Sequence, residues 1–169
     1  MDLTGEPDGE PQKMGVAFAD IFTGLYGVIA IQSALRVREH SQKGQHIDLS
    51  LMDSMIAVLA NQASNYFVSG KSPKRMGNKH PNIVPYQVFK VKDGHLIIAV
   101  GNNEQFERFC KVIGLDYLYS SEKYNSNQKR VQNREKLVEI ITSKTTEYNK
   151  NDLKSLLEEN NVPVGSVND

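Results

Sequence analysis

A long apolar stretch near the start of the chain runs from Gly15 to Ala30 and carries one charged residue, Asp20. A helix that is hydrophobic on every side belongs inside a protein rather than on its surface. We therefore expect Asp20 to be buried or to lie at the mouth of a pocket. Small residues recur every three to four positions along this helix, at Gly24, Gly27, Ala30 and Ala34. They would let another backbone or a flat ligand approach closely.

Asp20 could also serve as the N-cap residue of this helix, which we expect to run to about Arg38. Aspartate is a preferred N-cap, and its carboxylate would accept the backbone N–H of Phe22 or Thr23. The structural and functional roles are compatible, because a carboxylate held at a helix N-terminus is also presented to whatever lies in front of it.

The next elements lack a partner within the chain. Residues 45–51 alternate polar and apolar side chains, which predicts a short strand, and residues 51–68 then follow a helical period. Such a helix–strand–helix unit needs a larger sheet, which the loop of residues 1–14 cannot supply because it has proline and glycine but no hydrophobic periodicity. We therefore expect the chain to be a piece of a longer protein, within a doubly wound α/β domain.

The second half of the chain begins with residues 70–82, which are rich in turn formers and predict a connection between two domains. Two β-rich runs, 86–91 and 95–100, flank an Asp93-Gly94 pair, which is a strong hairpin signal. Helices are then expected at about residues 104–113, at about 131–142, and from Asn151 or Asp152 onward.

Composition narrows the possible functions. Lys plus Arg and Asp plus Glu number 20 each, so the net charge is zero and gives no general attraction to nucleic acid or to an anionic membrane. A single cysteine, Cys110, excludes an internal disulfide and a multi-cysteine metal site, and we expect no metal. The apolar run is interrupted by polar residues and is too short for a membrane span. We expect a soluble, cytoplasmic protein.

Six short segments together carry a family resemblance, and in chain order they are Gly15-Val16-x-x-x-Asp20, Gly44–Ser50, the helix that contains Asp53, Gly77–Tyr86, Asp93-Gly94 and Val162–Gly165. In this order they resemble the class III CoA-transferases, also called the CaiB/BaiF family. The resemblance covers nearly the whole chain.

This resemblance implies a large Rossmann-like domain, a smaller domain inserted in it, and two subunits interlaced in a homodimer. The chain would then be an α/β protein in which residues 1–69 are part of the large domain. Residues 70–85 would be a linker, and residues 86–169 would form the smaller α+β domain.

The resemblance also implies a function, acyl-CoA:carboxylate CoA transfer, with CoA as a substrate and no cofactor. In the family an aspartate at the position of Asp20 is the catalytic nucleophile. It attacks an acyl-CoA thioester to give a mixed anhydride, the freed CoA forms an aspartyl-CoA thioester, and CoA then passes to a second carboxylate. The chemistry suits the residue, because a positioned carboxylate is a competent nucleophile and an apolar surround would exclude water.

The segment Gly77–Asn82 corresponds to a glycine-bearing loop that covers the active site in some members of the family. We expect Gly77, Asn78 and His80 to bind substrate. The segment departs from the richest form of that loop, since it has one glycine. His80 could instead be a hydrogen-bonding loop residue.

Two alternatives to the transferase stay open. Glu104 follows Gly101 at a spacing that resembles a catalytic glutamate of 2-methylacyl-CoA racemases, although it could be an ordinary first-turn helix residue. The chain could also be an inactive fragment, because in the family most contacts to the CoA nucleotide come from a region upstream of this sequence.

Overall fold

The structure of the protein, a computed structural model, describes residues 2–167. Its helices are α1 Phe18–Ser41, α2 Leu51–Val58, α3 Asn61–Ser69, α4 Asn103–Val112, α5 Tyr117–Ser120, α6 Asn127–Gln132, α7 Arg134–Thr145 and α8 Lys150–Glu159. Its strands are β1 Tyr86–Val91, β2 Gly94–Ala99 and β3 Val164–Ser166. The chain divides into two units, Met1–Gly77 and Asn78–Asp169.

The apolar helix α1 begins earlier than the sequence predicted. Ala17 occupies the N-cap position without a side-chain hydrogen bond, so Asp20 lies inside the first turn. The N-cap role predicted for Asp20 is therefore wrong. The backbone is already helical before this residue, because the Ile21 N–H bonds to the Ala17 carbonyl at 3.1 Å.

Helix α1 is only partly covered in the first unit. None of the helix residues is buried, and Leu25 and Ile29 leave 55% and 61% of their surface exposed. α2 packs against α1, and Leu49 lies against Gly27, with its Cδ2 atom 3.3 Å from where a Cβ would be. The expectation of a buried helix is not met among residues 2–77, because this part of the chain forms no sheet to cover it.

By length and composition alone, α1 could cross a membrane, since it has 24 residues and is mostly apolar. It is longer than the apolar run considered from the sequence. A core helix of a soluble protein passes the same test. The absence of a membrane segment therefore stays a prediction.

The strand predicted at residues 45–51 is wrong, since residues 42–50 form neither helix nor strand. A strand must pair its backbone groups with a neighbour, and none is found among the described residues of the first unit. Polar and apolar alternation alone is therefore not enough to make a strand here.

The single helix expected over residues 51–68 is divided into α2 and α3. Ala60 separates them with a φ of 48°, which an α-helix does not contain. The start of α2 agrees with the sequence, because Ser50 caps it by accepting the Asp53 N–H at 3.0 Å.

The second unit contains an antiparallel sheet in the order β1-β2-β3. The predicted hairpin is confirmed, with Val91 paired to Gly94 across a two-residue turn. Asp93 in this turn also accepts the Lys150 N–H at 2.6 Å, which ties the hairpin to the start of α8. Alternate residues of β1 and β2 point into the core, as the period of a strand requires.

One hydrophobic core fills the second unit and is built from the sheet and from one face each of α4, α7 and α8. Its largest apolar members are Phe89, Leu96, Ile98, Phe106, Phe109, Ile113, Leu118, Leu137, Ile141, Leu153 and Leu157. The unit is therefore a small α+β structure with its own interior.

The helices of the second unit depart from the predicted boundaries. The first of them, α4, runs from Asn103 to Val112 and is capped by Asn102. Gly114 follows its end with a φ of +68°. The second expected helix begins later, at Arg134. The polar stretch that precedes it contains the unpredicted helices α5 and α6.

Candidate active site

Asp20 lies in the first turn of α1 with its side chain exposed. Its carboxylate makes no hydrogen bond or ion pair with any other residue that the structure describes. Asp20 lines a groove of about 600 Å³ within the first unit, whose walls are Leu3, Thr4, Gln12, Lys13, Met14, Gly15, Val16, Ala17, Phe18, Ala19, Met55, Val58 and Leu59. Of the two positions expected from the sequence, buried or at the mouth of a pocket, the second is the one that agrees with the exposed Asp20 at this groove.

This groove suits a nucleophile. Its walls are mostly apolar or small side chains, with Lys13 as a nearby source of positive charge. The first N–H groups of a helix lack acceptors within the helix, and those of Ala19 and Asp20 belong to this turn. A carboxylate in such a place can attack an electrophilic carbonyl, with backbone donors close by.

Gly77 ends the first unit in a conformation that favours glycine. Its φ is +58°, and a Cβ atom would lie 2.8 Å from the Glu6 carboxylate. The Gly77 N–H donates to the Gly5 carbonyl at 3.0 Å. Gly77 is therefore held against the N-terminal loop, and the described residues that line the Asp20 groove do not include it.

Arg75 reinforces this connection. Its guanidinium forms an ion pair with Asp2 at 2.8 Å and donates to the carbonyls of Glu6 and Gly9 at 3.3 and 2.9 Å. The arginine thus binds three points of the N-terminal loop. These contacts fix the backbone two residues before Gly77.

Asn78 is exposed, whereas His80 is partly buried in the second unit. The His80 ring stacks on Tyr86 with centroids 5.0 Å apart, and its Nδ1 accepts the Asn82 N–H at 3.1 Å. Burial and the positive charge of Arg134 lower the pKa of His80. A neutral ring that accepts at Nδ1 carries its proton on Nε2. The Nε2 atom of His80 can therefore donate a hydrogen bond but cannot accept a proton.

Helices α6 and α7 bind the backbone next to His80, which the sequence did not predict. The bonds run from Arg134 Nη2 to the Pro81 carbonyl (2.9 Å), from Asn127 Nδ2 to the Asn82 carbonyl (2.7 Å), from the Val84 N–H to Asn127 Oδ1 (3.2 Å) and from Arg130 Nε to the Val84 carbonyl (2.7 Å). We call Asn127, Arg130 and Arg134 the polar clamp. It holds residues 81–84 by their backbone.

Arg130 is the central member of the polar clamp and is wholly buried. It also donates to the Tyr124 carbonyl and to Asn103 Oδ1, both at 3.0 Å, and its guanidinium lies 4.3 Å from the centroid of the Phe106 ring. Burial lowers the pKa of Arg130 to about 10. Hydrogen bonds and the aromatic face replace a carboxylate as its partners.

Other candidate residues do not form a second site. Cys110 is a residue of the hydrophobic core, and burial raises the pKa of its thiol to about 12. Glu104 is an exposed first-turn residue of α4. Among residues 2–167 there is no group of three or more His, Cys, Asp or Glu arranged to hold a metal.

The four predicted site residues are divided between the units. Asp20 and Gly77 belong to the first unit, and Asn78 and His80 belong to the second. Within the first unit, Asp20 lines the groove and Gly77 is bound to the N-terminal loop. Within the second, His80 is fixed by Tyr86 and Asn82.

Comparison with known proteins gives consistent matches. The family model for CoA-transferase family III matches residues 1–169. The succinate–glutarate CoA-transferase of Agrobacterium fabrum is 51% identical over 99% of this chain and 42% of its own length. The succinyl-CoA:glutarate CoA-transferase of Mus musculus is 42% identical over 99% of this chain and 38% of its own length. The chain thus spans about two fifths of the length of these relatives.

A solved structure agrees with this match. A CAIB/BAIF family protein from Brucella suis is 56% identical in sequence and superposes with a TM-score of 0.74. The match covers 100% of this chain and 45% of that one.

Proposed function

Because the chain belongs to CoA-transferase family III, we propose that its protein transfers CoA between an acyl-CoA and a free carboxylate, with Asp20 as the nucleophile. The observation that carries the proposal is the carboxylate of Asp20. It is exposed in the first turn of an apolar helix, beside a groove and without a partner among the described side chains.

The proposed reaction proceeds by exchange at carbonyl carbons. An oxygen of Asp20 bonds to the thioester carbon of the acyl-CoA, and the carbon–sulfur bond breaks to release the CoA thiolate. The thiolate then attacks the aspartyl carbonyl of the mixed anhydride, which releases the donor as a free carboxylate. Asp20 now carries CoA as a thioester.

The second half of the reaction repeats these steps in reverse. The acceptor carboxylate attacks the aspartyl-CoA thioester and expels the CoA thiolate, giving a new anhydride. The thiolate attacks the acceptor's acyl carbon, so that a new acyl-CoA leaves and the Asp20 carboxylate is restored. CoA is a substrate throughout, and the scheme needs no cofactor.

The walls of the groove, the first turn of α1 and the predicted binding residues would each have a role in this proposal. The apolar walls would exclude the water that hydrolyses an anhydride, and the N–H groups of the first α1 turn would face developing negative charge. Gly77, Asn78 and His80 would bind substrate. We propose dicarboxylates as acyl groups, because the relatives from A. fabrum and M. musculus are named for succinate and glutarate.

We further propose the setting of this reaction. Residues 1–69 would be part of a Rossmann-like large domain within an interlaced homodimer in the cytoplasm. The uncovered apolar faces of α1 support this arrangement, since they are suited to a sheet or a subunit packed against them.

The test is CoA transfer from succinyl-CoA to glutarate by the full-length protein with Asp20→Asn. We expect turnover to fall by on the order of 10³-fold or more, as when a covalent nucleophile is removed. Asp8→Asn is the matched control, because Asp8 is exposed in the N-terminal loop, and this variant should keep its activity. Normal turnover by Asp20→Asn would refute the proposal.

A further inference from the structure

The polar clamp is connected to His80 through the backbone of Asn82. Asn127 uses both ends of its amide, donating to the Asn82 carbonyl at 2.7 Å and accepting the Val84 N–H at 3.2 Å. The Asn82 N–H in turn donates to His80 Nδ1 at 3.1 Å. The orientation of the imidazole thus depends on a backbone turn that Asn127 holds from α6.

The other contacts of His80 leave one ring atom for a ligand. Its backbone N–H donates to the Tyr86 carbonyl at 2.9 Å, and its ring stacks on the Tyr86 ring. Nδ1 is occupied by Asn82. No other residue that the structure describes forms a hydrogen bond with Nε2, which therefore presents an N–H donor.

The positive charge of Arg134 acts on the His80 ring and helps to lower its pKa. Arg134 is 93% buried, since 7% of its surface is exposed. Its Nη2 binds the Pro81 carbonyl, while its Nη1 is buried without a partner among the described residues. A neutral N–H donor under the influence of a fixed cation suits an anionic oxygen better than a cationic or apolar group.

We propose that Asn127 is a positioning residue for substrate binding, which holds the turn at residues 82–84 so that His80 directs Nε2–H toward an anionic oxygen of the substrate. This inference rests on the proposed CoA transfer. Its chemistry fits either a carboxylate of the acyl group or acceptor, or a phosphate of CoA. In this proposal the segment that carries His80 is held by the polar clamp and does not act as a mobile lid.

The geometry of His80 can be tested without turnover, by ¹⁵N NMR of histidine-labelled protein. We expect the Nε2–H tautomer in the wild type and slow hydrogen exchange of the Asn82 amide. Asn127→Leu should give a mixture of tautomers and faster exchange at Asn82. Asn125→Leu is the matched control, because Asn125 is an exposed asparagine two positions earlier, and its spectrum should match the wild type. An unchanged His80 signal in Asn127→Leu would overturn the inference.

The role in binding is tested by a double-mutant cycle with His80→Ala in the full-length protein. Asn127→Leu and His80→Ala should each raise a KM by about three- to tenfold, which corresponds to one lost hydrogen bond, with kcat nearly unchanged. Adding Asn127→Leu to His80→Ala should raise KM no further, because Asn127 acts through His80. Additive effects, or a fall in kcat alone, would assign Asn127 a merely structural role and overturn the proposal.

The substrate whose KM rises identifies the anionic oxygen. A rise for glutarate alone assigns a carboxylate, and a rise for both succinyl-CoA and free CoA assigns a phosphate. If Asn127→Leu does not fold, Asn127→Asp replaces it, since the carboxylate still accepts the Val84 N–H but cannot donate to Asn82. If the wild type lacks CoA transfer, the proposed function fails, and the NMR measurement alone decides whether Asn127 positions His80.

Discussion

The two units of the chain use similar apolar side chains in opposite ways. In α1 of the first unit, Leu25 is 55% exposed, whereas Leu137 in α7 of the second unit is 0% exposed. All the described hydrophobic residues that are buried lie at Val84 or beyond. The difference teaches that an apolar helix indicates a covered surface, but it does not say whether the cover comes from the same stretch of chain.

The second unit closes its own core, because its sheet and helices are close in the sequence and pair with one another. The first unit has three helices and loops among its described residues, and they cover little of α1. Its catalytic candidate, Asp20, therefore lies on a helix that α2 contacts but that has no buried residue in this unit. The units should differ accordingly in independent stability.

The largest effect is expected when the two units are produced as separate proteins. A protein made of residues 78–169 should unfold cooperatively in urea with a free energy of several kcal/mol, because it retains the whole core. A protein made of residues 1–77 should show no cooperative transition by circular dichroism. Cooperative unfolding of residues 1–77 alone would break the comparison.

The same leucine substitution in each unit gives the next effect. Leu137→Ala leaves a cavity in the core and should lower the free energy of unfolding of the second unit by about 2–5 kcal/mol. Leu25→Ala removes a side chain that is exposed in this chain, so it should change the free energy of unfolding by less than about 0.5 kcal/mol. Urea denaturation of the 169-residue chain measures both; equal losses would show that the units share one core.

Replacing glycine by alanine should change stability in opposite directions in the two units. Gly114→Ala should destabilise the second unit by about 1–2 kcal/mol, because its φ of +68° is unfavourable for a residue with a Cβ. Gly24→Ala should strengthen α1 by up to about 1 kcal/mol, since a Cβ there meets nothing within 4 Å. The helical circular dichroism signal should rise for Gly24→Ala. A fall would show that the small residues of α1 around Gly24 are already covered.

The smallest expected effect is a pH dependence in the second unit. The lowered pKa of His80 means that, below its usual value of 6.5, the unfolded chain binds a proton that the folded chain does not. The free energy of unfolding should therefore fall as the pH drops below about 6.5. His80→Gln should lose this part of the dependence, as urea titrations across that range would show. An identical pH profile in the variant would contradict the assigned environment of His80.

The sequence predicted those elements that depend on neighbours along the chain. The hairpin of β1 and β2 follows from local alternation and from Asp93-Gly94, and α4 lies close to the helix expected at about residues 104–113. The strand at residues 45–51 failed because its pattern needs a partner that the first unit does not provide.

The candidate site was predictable only in part, because some of its features depend on contacts between distant parts of the chain. The family motifs located Asp20 and His80 in the sequence. They did not show that Asp20 lies inside a helical turn, which depends on where the backbone becomes helical. The polar clamp was missed because Asn127, Arg130 and Arg134 bind a segment more than forty residues away. The two arginines also belong to different helices, α6 and α7, so no single helical period relates them.

The most direct measurement is peptide mass mapping of the full-length protein after incubation with succinyl-CoA and trapping with hydroxylamine or borohydride. Hydroxylamine converts an activated aspartyl group to a hydroxamate, and borohydride reduces an aspartyl thioester to an alcohol. We expect the modification at Asp20 and at no other carboxylate. An unmodified Asp20 in an enzyme that turns over, or α-proton exchange in place of CoA transfer, would contradict covalent catalysis by Asp20.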